Sequence, residues 1–216
     1  MSGSRAAAAE VARWRSKDDV WIDHTTLTDS DAEWLRPAKR LTLWAVKHPA
    51  GFLARLPHLE FLDIRGGSGA VISQVVGCRA LRVLVVNQVR GMSDLDPIAQ
   101  LATLELLSLY GLPRVWSLPS TAQLPSLTRV ELGSMKGLSS IVPILAAPRL
   151  QELQLSRMVK LSSDDVTAIR EHPTLLRFGW FAEDVPDKAW KPVVDAISKP
   201  APLAMRPETW LDQHPG

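Results

Sequence analysis

At 216 residues the chain is long enough for one domain with a sizeable core. It is 46% hydrophobic and 22% charged with a formal net charge of +2, an ordinary globular balance, too weakly basic to point to nucleic acid or an acidic membrane surface. The single cysteine, Cys78, excludes an internal disulfide and a cysteine-based zinc cluster, and no apolar run approaches the ~18 residues of a membrane span.

Residues 1–16 are rich in Ala and Arg, with Val11 and Trp14 three apart, and predict a short helix or arm covering the open amino-terminal end of the domain. Their opening MSGSRAAAAE lacks the long apolar segment of a secretory signal, so the expected location is cytoplasmic. Val20-Trp21-Ile22 is a β-branched and aromatic strand signal. Ser30-x-x-Glu33 has the form of a capping box opening a helical turn with Trp34 and Leu35.

From there a unit recurs. Its leading position is Leu59, Leu81, Leu104, Leu127, Leu150 and Leu175, at intervals of 22, 23, 23, 23 and 25 residues. Its second is Leu41, Leu62, Leu84, Leu107, Val130, Leu153 and Phe178, and its third is Leu43, Ile64, Val86, Leu109, Leu132, Leu155 and Trp180. Pro57, Pro125, Pro148 and Pro173 each stand two residues before a leading Leu; proline ends a helical turn and sets its neighbour extended, so it marks one corner of each unit. Between strands, Asp96-Pro97-Ile98 and Ser163-Asp164-Asp165 look like helix starts. Trp190, Val193, Val194 and Ile197 share one face of a longer helix. Residues 199–216 carry Pro200, Pro202, Pro207 and Pro215 and continue neither a helix nor a ladder; Trp210 and Leu211 either dock on the last unit or stay loose.

The pattern L-x-x-L-x-L at a period near 23, over roughly Lys17 to Ser198, resembles the leucine-rich repeat family. The resemblance implies an α/β solenoid: a curved coil with about eight parallel strands on the concave side and short helices or turns on the convex side. The expected organisation is an arm at 1–16, a solenoid with capping first and last units at 17–198, and a Pro-rich tail at 199–216. At ~4.8 Å per strand the sheet is on the order of 34 Å long. The family's Asn or Cys, three residues past the third Leu, is replaced by Val46, Gly67, Val89, Leu112, Met135 and Met158, which predicts a greasier core and less regular turns.

Residues between the Leu columns point away from the core, because side chains alternate along a strand. They form three columns: Arg40, Phe61, Val83, Leu106, Arg129, Glu152 and Arg177; then Trp21, Thr42, Asp63, Val85, Ser108, Glu131, Gln154 and Gly179; then Asp23, Trp44, Arg65, Asn87, Tyr110, Gly133, Ser156 and Phe181. Trp44, Phe61, Val83, Val85, Leu106 and Tyr110 predict a solvent-facing apolar patch of the size used for docking, flanked by Asp63, Arg65, Arg129, Glu131 and Glu152; the alternative is that a terminal helix or the tail covers it, or that a strand is one residue out of phase. The expectation is a non-enzymatic module binding a protein partner on its concave face, monomeric, with no nucleic acid, membrane, cofactor or metal. An immunity or inhibitor protein, an enzyme using Asp63, Arg65 and Ser108, and a purely structural repeat are the alternatives. Gly66-Gly67-Ser68-Gly69 lacks the Lys of a phosphate loop and reads as a turn, and the scattered histidines offer no metal spacing.

Overall fold

The computed structural model describes residues 7–215. It consists of one nine-stranded sheet in sequence order. The strands are β1 Arg13–Trp14, β2 Asp19–Asp23, β3 Arg40–Trp44, β4 Phe61–Arg65, β5 Val83–Asn87, β6 Leu106–Tyr110, β7 Arg129–Met135, β8 Glu152–Val159 and β9 Arg177–Phe181. From β2 to β9 every neighbouring pair is parallel. The eight expected strands are therefore present, and the coils stack as a solenoid.

The amino-terminal arm differs from expectation. Residues 1–6 lie outside the described residues. Beyond them a single turn of helix, α1 Ala8–Val11, leads into β1, which pairs antiparallel with β2 through Arg13–Trp21 and Trp14–Val20. The first parallel strand would otherwise present an unpaired edge, and a short antiparallel cover removes it. Trp14 packs edge-on to Trp34 of α2 Asp31–Leu35, ring centroids 6.3 Å apart. The cap of α2 also moves. Ser30 makes no capping bond, and the Asp31 carboxylate instead accepts from the Thr28 amide and hydroxyl, each at 2.7 Å.

The Leu columns are inward throughout. Leu62, Leu84, Leu107, Val130 and Leu153 are fully buried, and the leading leucines lie beneath them. One continuous core runs the length of the coil, because no single coil could close its own apolar edge. Cys78 lies in this core, where burial pushes its thiol up to about 11; it is a packing residue. The convex side is built from short 3₁₀ turns in the middle coils and from α3 Val142–Leu145, α4 Ser163–Glu171 and α5 Asp187–Ile197 toward the end. Asp96 begins a 3₁₀ turn, with the side chain of Asp94 accepting its amide.

The turns are more regular than the missing Asn column suggests. Each of the strands β2 to β6 is followed by a left-handed residue, His24, Ala45, Gly66, Gln88 and Gly111, and β7 and β8 carry one within them, Ser134 and Arg157. The first five donate their amide to the third-column carbonyl of the next coil: His24 to Trp44, Ala45 to Arg65, Gly66 to Asn87, Gln88 to Tyr110 and Gly111 to Gly133, all at 2.8–2.9 Å. Backbone thus bonds backbone across coils where the family uses a side chain. Val89, Leu112 and Met135 fill the former Asn column, whereas Met158 is only half-buried. A register shift after Gly133 pairs Met135 with Val159, so Val159 takes the core position in that coil.

Asp165 does more than complement a helix terminus. Its carboxylate accepts from the Ser162 amide and hydroxyl (both 2.8 Å), the Ser140 hydroxyl (2.7 Å) and the Ile141 amide (2.9 Å), joining two coils while capping α4. Burial pushes its pKa up, but the bonds from Ser140, Ser162 and Ile141 outweigh it and hold the carboxyl below the usual range. A depressed pKa stabilises the fold above the unfolded value, near 3.9, and that stability is lost as pH falls through the folded value. Asp165→Asn is expected to lower unfolding free energy by about 2–3 kcal/mol at pH 7. Denaturant titrations should show a constant gap from wild type down to about pH 5, shrinking below about pH 4.

Candidate interaction surface

The register places all three outward columns as the alternation of side chains requires. Arg40, Phe61, Val83, Leu106, Arg129, Glu152 and Arg177 are direct strand neighbours, and the second and third columns run parallel to them. What covers the columns differs from expectation. Phe61, Val83, Val85 and Leu106 are buried, not solvent-facing, and form a second apolar cluster closed by Trp210. The carboxy-terminal tail is neither loose nor docked on the last coil. It turns back and crosses the concave face as a strap.

Its path is marked by contacts that tie strap to sheet. Pro200 accepts from the Phe178 amide at 2.9 Å, and Arg177 donates to Ala201. Pro202 lies over Gly179, where a Cβ would come within 2.7 Å of its ring, so the missing side chain is what lets the strap through. Arg129 donates to the Leu203 carbonyl, Arg65 pairs with Glu208 at 3.1 Å, and Arg40 donates to the Glu208 carbonyl at 2.7 Å. The strap ends in α6 Trp210–Gln213. There the Trp210 indole donates to Glu105 at 2.9 Å, Asp212 pairs with Arg40, and Arg82 donates to the His214 carbonyl at 2.6 Å. His214 stacks on Trp210 with centroids 3.8 Å apart.

The strap buries the middle of the first column, Phe61 to Arg129, and covers the third barely. Trp44, second in the third column after Asp23, and Phe181, at its far end, remain 43% and 65% exposed, with Tyr110 half-buried between them. Below the strap's middle lies a cavity of about 580 Å³, bounded by Tyr110, Arg129, Glu131, Trp180, Leu203 and Met205. Beyond the third column, where the chain turns away from each strand, a trough of about 850 Å³ runs past Trp44, Gln88, Arg90, Tyr110, Lys136 and Arg157.

A ladder of eight parallel strands, one per coil at a period near 23, with leucines inward at fixed positions, decides the architecture. The chain is a leucine-rich-repeat solenoid. No family model matches the sequence, and no curated protein matches it. Among solved structures the coil is similar to internalin C2 of Listeria monocytogenes, with 19% identity and a TM-score of 0.46 over 74% of this chain and 80% of that one. It is also similar to an internalin (inlF) of the same organism, with 17% identity and a TM-score of 0.29 over 82% and 71%.

Electrostatically the repeat sheet is divided. Arg129 is 2% exposed and holds Glu131 (2.9 Å) and Glu152 (2.5 Å) in one network. Burial pushes the Glu131 carboxyl above its usual range, against the pull of Arg129 and a bond from the Ser108 hydroxyl. Asp63 is fully buried beside Arg65 at 2.6 Å, with one carboxylate oxygen unpartnered; burial raises its pKa to about 6 despite that arginine, and Glu208 adds to the rise. Asp63, Arg65 and Ser108 do not converge on one point: Asp63 pairs with Arg65, Ser108 bonds Glu131, and the buried Val85 stands between Asp63 and Ser108. Of the expected docking residues, the structure thus leaves Trp44 exposed and Tyr110 half-open, and it turns the other apolar members into the strap's seat. Arg82, Glu105, Glu208 and Asp212 carry that seat and were missed, while Trp210, expected to dock on the last coil or stay loose, docks on the middle coils instead. Arg82 and Glu105 each precede a first-column strand residue, and their only signal was a charge beside a buried position.

Proposed function

We propose that this leucine-rich-repeat solenoid is a protein-interaction module whose docking surface is the third column and the edge beyond it, not the strap-covered centre. The observation that carries this reading is the exposure of Trp44 and Phe181, far apart in one column. They frame a surface six strand spacings long, about 29 Å. Two large aromatics with half-buried Tyr110 between them supply rigid amphipathic anchors of the kind that dominate binding energy at interfaces. The strap, by sealing Phe61, Val83, Val85 and Leu106, keeps the remaining apolar surface from being a general adhesive.

A photo-crosslinking residue placed at Tyr110 or Phe181 should yield a discrete protein adduct in cells that carry the gene, and one at the exposed convex Gln123 should not. Absence of any adduct from the two concave-edge sites, or an identical adduct pattern at Gln123, would reject the reading.

A further inference from the structure

The trough beyond the third column is lined by Trp44 and Tyr110, by the paired Arg157, and by two further cations, Arg90 and Lys136; among the described residues no Asp or Glu lines it. Both cations are exposed, and neither enters an ion pair or hydrogen bond among the described residues. On the opposite side of the sheet the arginines are matched: Arg40 by Asp212, Arg82 by Glu60 and Glu105, Arg129 by Glu131 and Glu152. Charge is therefore compensated where the strap lies, whereas in the trough Arg157 pairs with Glu183 and Asp184 and only Arg90 and Lys136 stand uncompensated.

The cations also have a period. Arg90 and Lys136 in the trough, and Lys47 in an adjoining hollow that shares Ala45, Gly66 and Gly67 with it, each stand three residues past the third-column residue of their coil, after Asn87, Gly133 and Trp44. These are alternate coils, so successive cations lie about 9–10 Å apart at ~4.8 Å per strand. A polyproline II segment repeats its side-chain direction every three residues, a rise of about 9.3 Å. The molecule already binds one segment of related chemistry: its own strap, with Pro200, Pro202 and Pro207, places Glu208 and Asp212 on Arg65 and Arg40.

The geometry points to a binding site for an extended, proline-rich acidic segment of a protein partner, with an Asp or Glu at every third residue facing Lys47, Arg90 and Lys136 and its prolines against Trp44 and Tyr110. This rests on the interaction-module reading and specifies its ligand. Proline-rich segments dock against aromatic-lined grooves because their backbone is already ordered, and charge complementarity fixes register and on-rate. A nucleic acid strand carries a charge every ~3.4 Å along its axis, far denser than this row.

The test uses the full chain and three fluorescent probes in anisotropy titrations: five repeats of Asp-Pro-Pro, five of Asn-Pro-Pro, and a 20-mer of deoxythymidine. The acidic peptide should bind at least ten-fold more tightly than the neutral one and weaken as salt is raised. Arg90→Glu with Lys136→Glu should remove that preference while leaving the melting temperature unchanged, since both side chains are exposed. If reversal perturbs folding, Arg90→Gln with Lys136→Gln should still lose it. Equal binding of the two peptides, no binding of either, or an unchanged preference in the variants overturns the proposal; tighter binding of the oligonucleotide overturns it in favour of a nucleic-acid site. Protein adducts at Tyr110 or Phe181 that persist in the charge-reversed variant would leave the module standing and remove only its acidic ligand, whereas no adducts at all would remove the module itself.

Discussion

Trp210→Ala is expected to free the strap. The indole is 5% exposed, fills the seat made by Phe61, Val83, Val85 and Leu106, and donates to Glu105. Truncating a buried tryptophan costs about 3–5 kcal/mol. Here the loss falls on one segment, because the strap is covalently joined to the solenoid only at its start, after α5. The ion pairs that remain do not replace it. Asp212 and Glu208 are 63% and 43% exposed on the side chain, where pairs contribute about 0–1 kcal/mol each. Amide exchange over residues 203–214 should lose its protection, while β4 to β6 keep theirs. The uncovered patch should bind a hydrophobic dye and promote self-association at raised concentration. Phe61→Asp with Leu106→Asp should do the same and also melt the sheet locally, since both sites are enclosed. Unchanged exchange over the strap in Trp210→Ala would mean that the polar contacts alone hold it down.

The coil itself was legible because periodicity is a local property. The inward leucines, the strand register and all three outward columns follow from one repeat length and the alternation of side chains. The strap was not legible, because nothing in a Pro-rich tail encodes which face it lies on. Trp210 meets Leu106 and Glu105 across more than a hundred residues with no repeat to link them. The apolar character of Phe61, Val83, Val85 and Leu106 led to the expectation of a solvent-facing patch, which the structure overturns, because it did not distinguish a partner from the chain's own end. The turn ladder escaped for a different reason. Left-handed conformation at Gly66 and Gly111 is readable from the residue, but at Ala45, Gln88, Ser134 and Arg157 it is imposed by the backbone bonds and packing of the neighbouring coils.

Arg129→Met is expected to be the most damaging single change on the concave face. The guanidinium is the only cation among the described residues within ion-pair distance of Glu131, and it binds Glu152 and the Leu203 carbonyl as well. Methionine preserves much of the volume but leaves Glu131, 18% exposed on the side chain, with only the Ser108 hydroxyl, and Glu152, 17% exposed, with only Arg177 at 3.5 Å. Breaking a buried pair by removing one partner costs about 3–5 kcal/mol, which for a chain of this size lowers the melting temperature on the order of 10 °C. The pH dependence identifies the cause. Glu131 already lies above its usual range because burial outweighs Arg129 and Ser108, and without Arg129 it rises further. A carboxyl whose folded pKa exceeds its unfolded value, near 4.3, destabilises the fold at neutral pH, and that cost is relieved as pH falls through the folded value. The deficit in Arg129→Met should therefore be largest near pH 7.5 and partly recovered by pH 5. Adding Glu131→Gln should recover stability at pH 7.5 and flatten the profile. A deficit that does not vary with pH would assign the loss to packing and to the Leu203 contact instead of to the stranded carboxylates.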